Sequence, residues 1–212
     1  FNHSIKEYDL VISNPCTGIP RLKTDNERER YLSSDEIKIL LDKLKDNKPI
    51  WLAVKLSLST GARIMSVIDL QKKDLNLNAG TVTIKNFKTG STYKGFLQKD
   101  LVDFLKDYTK KMKMNDYLVS INGGLQPTFK NIQWRIKPLL DELFNKELDA
   151  DDRKNRVVIH TFRHTFASHL AINGTPIFTI QKLMDHAKIE QTLRYAKLAP
   201  DSGKENVENL YF

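Results

Sequence analysis

The stretch Ile159-His160-Thr161-Phe162-Arg163-His164-Thr165-Phe166-Ala167-Ser168-His169 limits what this chain can be more than any other part of it. It sets three histidines and an arginine into an apolar, helix-like pattern. His160 and Arg163 are three residues apart, so on a helix both side chains project from the same side. Phe162, Phe166 and Leu170 recur at a spacing of four and are expected to face a core. A helix with an apolar ridge on one side and a His/Arg pair on another is more than a solvated charge run.

The neighbouring sequence has alternating periods. Ser33-Ser34-Asp35-Glu36 is a serine cap with acids in the first turn, ahead of Ile37, Leu40, Leu41 and Leu44. A second helix is expected from Pro49 through Trp51, Val54 and Leu58, stopping at Gly61. Arg63 then opens another helix carrying Ile64, Val67, Ile68 and Leu70. From Asp74 to Gln98 the period shortens. Leu75 and Leu77 alternate, Thr81-Val82-Thr83-Ile84 is β-branched, and Tyr93 to Leu97 is strand-like. Asn78-Ala79-Gly80 and Lys88-Thr89-Gly90-Ser91 are the turns of this antiparallel meander. Helices resume at about Asp100–Lys111 and Pro127–Phe144. A loop spans Asp149–Arg156, and the histidine-rich helix ends at Asn173-Gly174. A helix started by Pro176 runs through Leu183, and a last helix carries Thr192 and Tyr195. The expected fold is mixed α+β, mostly α-helical with a small three-stranded antiparallel sheet.

Charge narrows the partner. The 212 residues hold 34 Lys+Arg against 26 Asp+Glu, a formal net charge of +8, which favours a polyanion and nucleic acid first. Cys16 is the single cysteine, so an internal disulfide framework and a cysteine-based zinc site are excluded. No apolar run approaches membrane-spanning length and no signal-peptide pattern is present, so a soluble, cytoplasmic, nucleoid-associated protein without membrane contact is expected. Residues 1–26 mix Pro15, Gly18 and Pro20 with basic residues and are expected to form a linker or extended arm, with the folded domain at 27–204. Phe1 rather than methionine opens the sequence, and a fragment of a longer protein is expected. Residues 205–212, ending Glu208-Asn209-Leu210-Tyr211-Phe212, look like an expression-tag remnant.

Four dispersed residues are out of place for packing alone. Arg63 follows a helix-stopping glycine, Lys88 occupies a hairpin turn, His186 lies between two helices, and Tyr195 follows nine residues later. Together and in this order they resemble the catalytic domain of the tyrosine recombinases, the phage-integrase family. Thr60-Gly61-Ala62-Arg63 is similar to that family's first arginine motif, and His160-Thr161-Phe162-Arg163-His164 to its His-x-x-Arg-His motif. Leu183-Met184-Asp185-His186 followed by Thr192-Leu193-Arg194-Tyr195 resembles its Leu-Gly-His…Thr-x-x-Tyr box. The resemblance covers about residues 27 to 200. It implies a site-specific recombinase that cleaves and rejoins DNA through a covalent 3′-phosphotyrosyl intermediate, without metal or cofactor. Residues 1–26 would then be the arm from a DNA-clamping amino-terminal domain.

The residue types suit that chemistry. Attack on a phosphodiester builds negative charge on non-bridging oxygens, and two guanidinium groups answer it with permanent charge and a planar fork. The resemblance assigns Arg63 and Arg163 as that clamp, Tyr195 as nucleophile, His160 as the accompanying base and acid, His186 as a donor to a phosphate oxygen, and Lys88 as general acid for the departing 5′-oxygen. Lys85 and Lys94 flank the same hairpin as Lys88. Arg21, Lys23, Arg28, Arg30, Lys85 and Lys94 are candidate DNA-backbone contacts. The implied partners are double-stranded DNA and further protomers, a tetramer on paired sites, with the isolated domain expected to be monomeric and weakly active.

Two departures stand out. Ser66 occupies the position where the family carries an acid three residues after the first arginine, and Asp69 is the expected substitute. Asp185 replaces the glycine before His186, where a positive φ would strain an aspartate; its carboxylate is expected to favour protonated His186. Three other readings remain at this point. His160 and His164 at i, i+4, with His169 nearby, have zinc-ligand spacing, although no glutamate stands between them and Arg163 would sit beside the metal. If not ligands, His164 and His169 are expected to make structural hydrogen bonds. The chain could also be a DNA-binding relative that has lost catalysis, or a type IB topoisomerase-like enzyme that nicks and rejoins without partner exchange.

Overall fold

The computed structural model describes residues 1–9, 12–20, 30–121, 124–201 and 203–208. A short helix α1 (Asn2–Glu7) buries none of its residues. It was not legible in a stretch whose composition pointed to an extended arm, because a two-turn helix without a buried face has no apolar period. Helix α2 (Ser34–Leu44) starts on a reciprocal cap: Glu36 N–H donates to Ser33 Oγ at 3.2 Å and Ser33 N–H to Glu36 Oε2 at 2.8 Å. Helix α3 (Lys48–Thr60) buries most of its residues and stops at Gly61, whose φ of 65° is the left-handed conformation favoured by glycine. Helix α4 (Ile64–Ile68) follows at once.

The sheet has the order β1-β2-β3, with β1 (Leu75–Asn76), β2 (Thr81–Lys85) and β3 (Thr92–Phe96) all antiparallel. Thr83 pairs with Lys94 and Lys85 with Thr92, so Lys85 and Lys94 share the exposed face while Val82 and Ile84 face the core. Gly95 on β3 is required by proximity. A Cβ there would lie 2.7 Å from Ile84 and 3.2 Å from Thr60, so its absence lets the sheet close on the end of α3.

Helices α5 (Lys99–Tyr108) and α6 (Phe129–Phe144) complete the wall around α3, and α7 (Ile159–Ile172) packs along it. The main core gathers Leu52, Leu56, Val67, Ile84, Ile132 and Phe162. Phe162 is fully buried, as its place on the apolar ridge predicts. Phe166 and Leu170 pack instead against a second, smaller cluster of Ala167, Ala171, Ile180, Met184 and Tyr195. That cluster joins α7 to α8 (Ile177–Leu183), α9 (Glu190–Leu193) and the 3₁₀ turn Ala196–Leu198. The expected last helix is therefore shorter than its pattern: Arg194 caps α9, and Tyr195 stands at the junction with the 3₁₀ turn. A final helix, α10 (Gly203–Glu208), runs into the residues taken from sequence as a tag remnant. Among the described residues no helix is long and apolar enough to cross a membrane.

Candidate functional site

The turn Gly61–Arg63 is pressed onto α7. A Cβ on residue 61 would fall 2.4 Å from Phe166 Cδ1 and 2.9 Å from Met184 Sδ, so only glycine permits this approach. The approach brings the Gly61 carbonyl within 2.7 Å of Arg163 Nη1, while Arg163 Nη2 donates to the Met184 carbonyl. Arg163 is 3% exposed. One guanidinium thus ties the α3–α4 turn, α7 and the end of α8 into a single platform. Burial, reinforced by the charge of Arg63, lowers the Arg163 pKa to about 10, which still leaves it cationic at neutral pH. Arg63, the N-cap residue of α4, stays half-buried beside it.

His186 occupies the α8–α9 loop, with Nδ1 2.8 Å from Oγ1 of the fully buried Thr192. Desolvation first, then the charges of Arg163 and Arg63, push its pKa down to about 4. The expectation that Asp185 would favour protonated His186 is therefore overturned. Asp185 does adopt a positive φ, 49°, but its carboxylate accepts from Asn86 Nδ2. The arginines set the field at His186. Asp69 does not replace the missing acid at Ser66 either: its Oδ1 accepts from Gln126 Nε2 at 3.1 Å, whereas Ser66 is buried and lines the site itself.

The tyrosine is held differently from expectation. Tyr195 is 5% exposed, and its phenol oxygen lies 2.7 Å from His164 Nδ1. The sequence reads His164 as a structural histidine or, with His160, a zinc ligand; the geometry makes it the histidine in hydrogen-bond contact with the phenol. His160, expected in that position, sits exposed in the first turn of α7, edge-on to the His164 ring at 4.9 Å. Both histidines share a face of α7, and the phenol meets the one in the second turn. His169 does fill a structural role, donating from Nε2 to the Leu32 carbonyl at 2.8 Å. His164 Nδ1 is thus engaged by the phenol; among the described residues no group of three or more His, Cys, Asp or Glu is arranged to hold a metal ion.

Two adjoining cavities meet on Arg63, His160 and Arg163. The larger, about 470 Å³, is also lined by Lys88, Asn86 and Phe129. The smaller, about 290 Å³, is lined by Tyr195, His186 and Arg194. The predicted residues Arg63, Lys88, His160, Arg163, His186 and Tyr195 therefore line two cavities that share the arginine pair, Lys88 in one and Tyr195 in the other. The sequence pattern does not single out Arg194 or Asn86, and it marks His164 only as a structural histidine or a zinc ligand. Only His164 had a local signal, its i, i+4 spacing from His160.

The candidate backbone contacts divide. Arg21, Lys23 and Arg28 lie outside the described residues. Arg30 is half-buried, paired with Glu36 and donating to the Tyr31 carbonyl, so it is engaged in anchoring α2. Lys85 and Lys94 stand on the exposed face of the hairpin, with Lys85 Nζ 5.1 Å from the centre of the Phe87 ring.

The sequence profile of the Phage integrase family matches residues 30–201. An integrase of Escherichia phage P2 is 31% identical over 189 residues, covering 89% of this chain and 49% of that protein. The crystal structure of XerA recombinase superposes with a TM-score of 0.64 at 25% identity, covering 96% of this chain and 69% of that one. A Tn1549 transposon integrase, solved in complex with a circular intermediate DNA, gives 0.73 at 20% identity over 99% of this chain and 75% of that one, a likeness of fold alone. This chain spans about half the length of the curated relatives it matches. The fold, the ordered residues of the site and a profile match across most of the sequence agree: the chain belongs to the phage integrase family of tyrosine recombinases.

Proposed function

We propose that residues 27–204 are the catalytic domain of a site-specific DNA recombinase that cleaves and rejoins strands through a 3′-phosphotyrosyl link at Tyr195, with residues 1–26 leading to a separate DNA-clamping domain. The observation that carries this reading is the placement of Tyr195 and Lys88 in two cavities that meet on Arg63, His160 and Arg163. In-line displacement at phosphorus needs the nucleophile on one side and the leaving oxygen on the other. Tyr195 and Lys88 line different cavities that share the arginine pair, which suits an attacking group and a separate proton donor to the leaving oxygen.

In this mechanism the Tyr195 hydroxyl gives its proton to His164, the group it already contacts, and its oxygen forms the new bond to phosphorus. Arg63 and Arg163 hold the non-bridging oxygens, where charge grows in the transition state. His160 lines both cavities and, with neutral His186, donates to the same oxygens. The bond from phosphorus to the 5′-oxygen breaks, and Lys88 supplies its proton. The 5′-hydroxyl of a second strand then reverses the step, releasing Tyr195. The arginines carry the charge that a divalent ion carries in other phosphoryl transfers, so no step requires a metal. The working assembly is a tetramer on paired sites on double-stranded DNA; the net charge of +8 and membership of the integrase family support DNA as partner.

The test is capture of a protein–DNA adduct, stable to denaturant, from a library of nicked duplexes with randomised sequence, in buffer with and without chelator. The wild-type protein is expected to form an adduct that maps to Tyr195, persists with chelator and is absent in Tyr195→Phe. Binding without an adduct would leave a catalytically silent DNA-binding relative; relaxation of supercoils by the isolated chain without strand exchange would favour the topoisomerase-like reading; an adduct abolished by chelator would return a metal to the mechanism.

A further inference from the structure

The side chain of Asn86 joins two parts of the site that lie 99 residues apart in sequence. Asn86 follows β2 at the base of the hairpin turn and is 4% exposed. Its Oδ1 accepts from the Lys88 backbone N–H at 3.0 Å, and its Nδ2 donates to the Asp185 carboxylate. One bond fixes the backbone of the residue that carries the Lys88 ammonium. The other fixes the residue just before His186. With both ends of the amide engaged, its orientation is set, because exchanging O and N would oppose donor to donor and acceptor to acceptor.

Asp185 occupies a backbone conformation that glycine would adopt more easily, so its presence at φ 49° calls for a compensating contact. The contact is the one to Asn86, and the preceding carbonyl, of Met184, is held by Arg163. The loop is therefore anchored from the arginine platform and from the hairpin, and Asn86 itself lines the cavity that Lys88 faces.

We propose that Asn86 and Asp185 form a positioning pair that sets Lys88 against the departing 5′-oxygen. This rests on the mechanism above, in which Lys88 protonates the leaving group. Neither residue touches the reacting atoms; both act through Lys88.

The test is single-turnover cleavage of two duplexes that differ at the scissile 5′ position, one with oxygen and one with sulfur as bridging atom. A thiolate leaves without protonation, so the sulfur duplex reports cleavage that does not depend on the general acid. Asn86→Ala and Asp185→Gly are each expected to slow the oxygen duplex by about 10²-fold, the scale of a 1 Å misplacement, while leaving the sulfur duplex near the wild-type rate. The double variant should be no slower than either single one. Asp185→Asn, which tolerates positive φ and keeps an acceptor oxygen, should restore the wild-type ratio. Glycine at 185 is at ease in this backbone, so a folding defect does not stand behind its result. Equal slowing of both duplexes, or of neither, overturns the pair while the wild-type adduct still stands. A wild-type protein that forms no Tyr195 adduct on either duplex overturns the mechanism and the pair together.

Discussion

His164 Nδ1 lies 2.7 Å from the phenol oxygen of Tyr195, joining the second turn of α7 to the junction after α9. If this imidazole takes the phenolic proton, His164→Ala should slow adduct formation by about 10²–10⁴-fold, the usual worth of a positioned base. Added imidazole should recover part of the rate. The half-time of adduct formation, read on denaturing gels, checks both. A wild-type rate in His164→Ala would remove the residue from the chemistry.

Arg163 has a structural duty besides its charge. Arg163→Ala strands the buried carbonyls of Gly61 and Met184, at roughly 1–3 kcal/mol each. Arg163→Lys keeps the charge but cannot present the fork that reaches both carbonyls. Both variants should lower the urea midpoint, alanine more than lysine, and both should lose the adduct. A lysine variant with native stability would show that one of the two bonds is dispensable.

The histidine at 186 makes stability depend on pH. Its pKa falls from 6.5 to about 4 on folding, so between these values the unfolded chain binds a proton that the folded one excludes. Stability should therefore be full above pH ~6.5 and decline as pH falls toward ~4. In His186→Gln this part of the decline should be missing. Urea unfolding at several pH values measures the difference, and identical profiles for the two proteins would contradict it.

Gly61→Ala should be more damaging than an added methyl group implies. The side chain would meet Phe166 and Met184 while the backbone remains at φ 65°. Left-handed strain costs about 1–2 kcal/mol and overpacking about 1–3 kcal/mol. A melting temperature within 2 °C of wild type, against the roughly 2–4 °C per kcal/mol expected at this size, would contradict the packing described.

The basic residues should separate by salt dependence. Lys85→Ala and Lys94→Ala are each expected to reduce the slope of log affinity against log salt by about 1 if they meet phosphates. Arg30→Ala should leave that slope intact and lower stability instead, because its partners are Glu36 and the Tyr31 carbonyl. Fluorescence anisotropy across a salt series reads the first effect and thermal melting the second.

What could be read from the sequence was local. Ser33 and Glu36 announce the start of α2, Gly61 the end of α3, and the turns at Gly80 and Gly90 the strand pairing, because caps and turns are decided by residues a few positions apart. The order of Arg63, Lys88, His160, Arg163, His186 and Tyr195 carried the family resemblance. What escaped was long-range or marginal. His164 meets Tyr195 across 31 residues and Asn86 meets Asp185 across 99, contacts that leave no spacing rule behind. The α9 pattern suggested a helix running through Tyr195, yet the chain bends after Arg194 to bury that phenol beside Met184 and Ala171.

The arginine platform has an energetic consequence. Arg163 is buried next to Arg63, and carbonyl dipoles meet part of its charge. The lowered pKa reflects the burial and like charge that this arrangement imposes. An anion seated between the two guanidinium groups would relieve it, so the free protein is kept below its maximal stability and recovers the difference on ligation. By linkage, the same free energy appears as added affinity for phosphate. Part of the binding strength for an anion is thus stored in the fold beforehand.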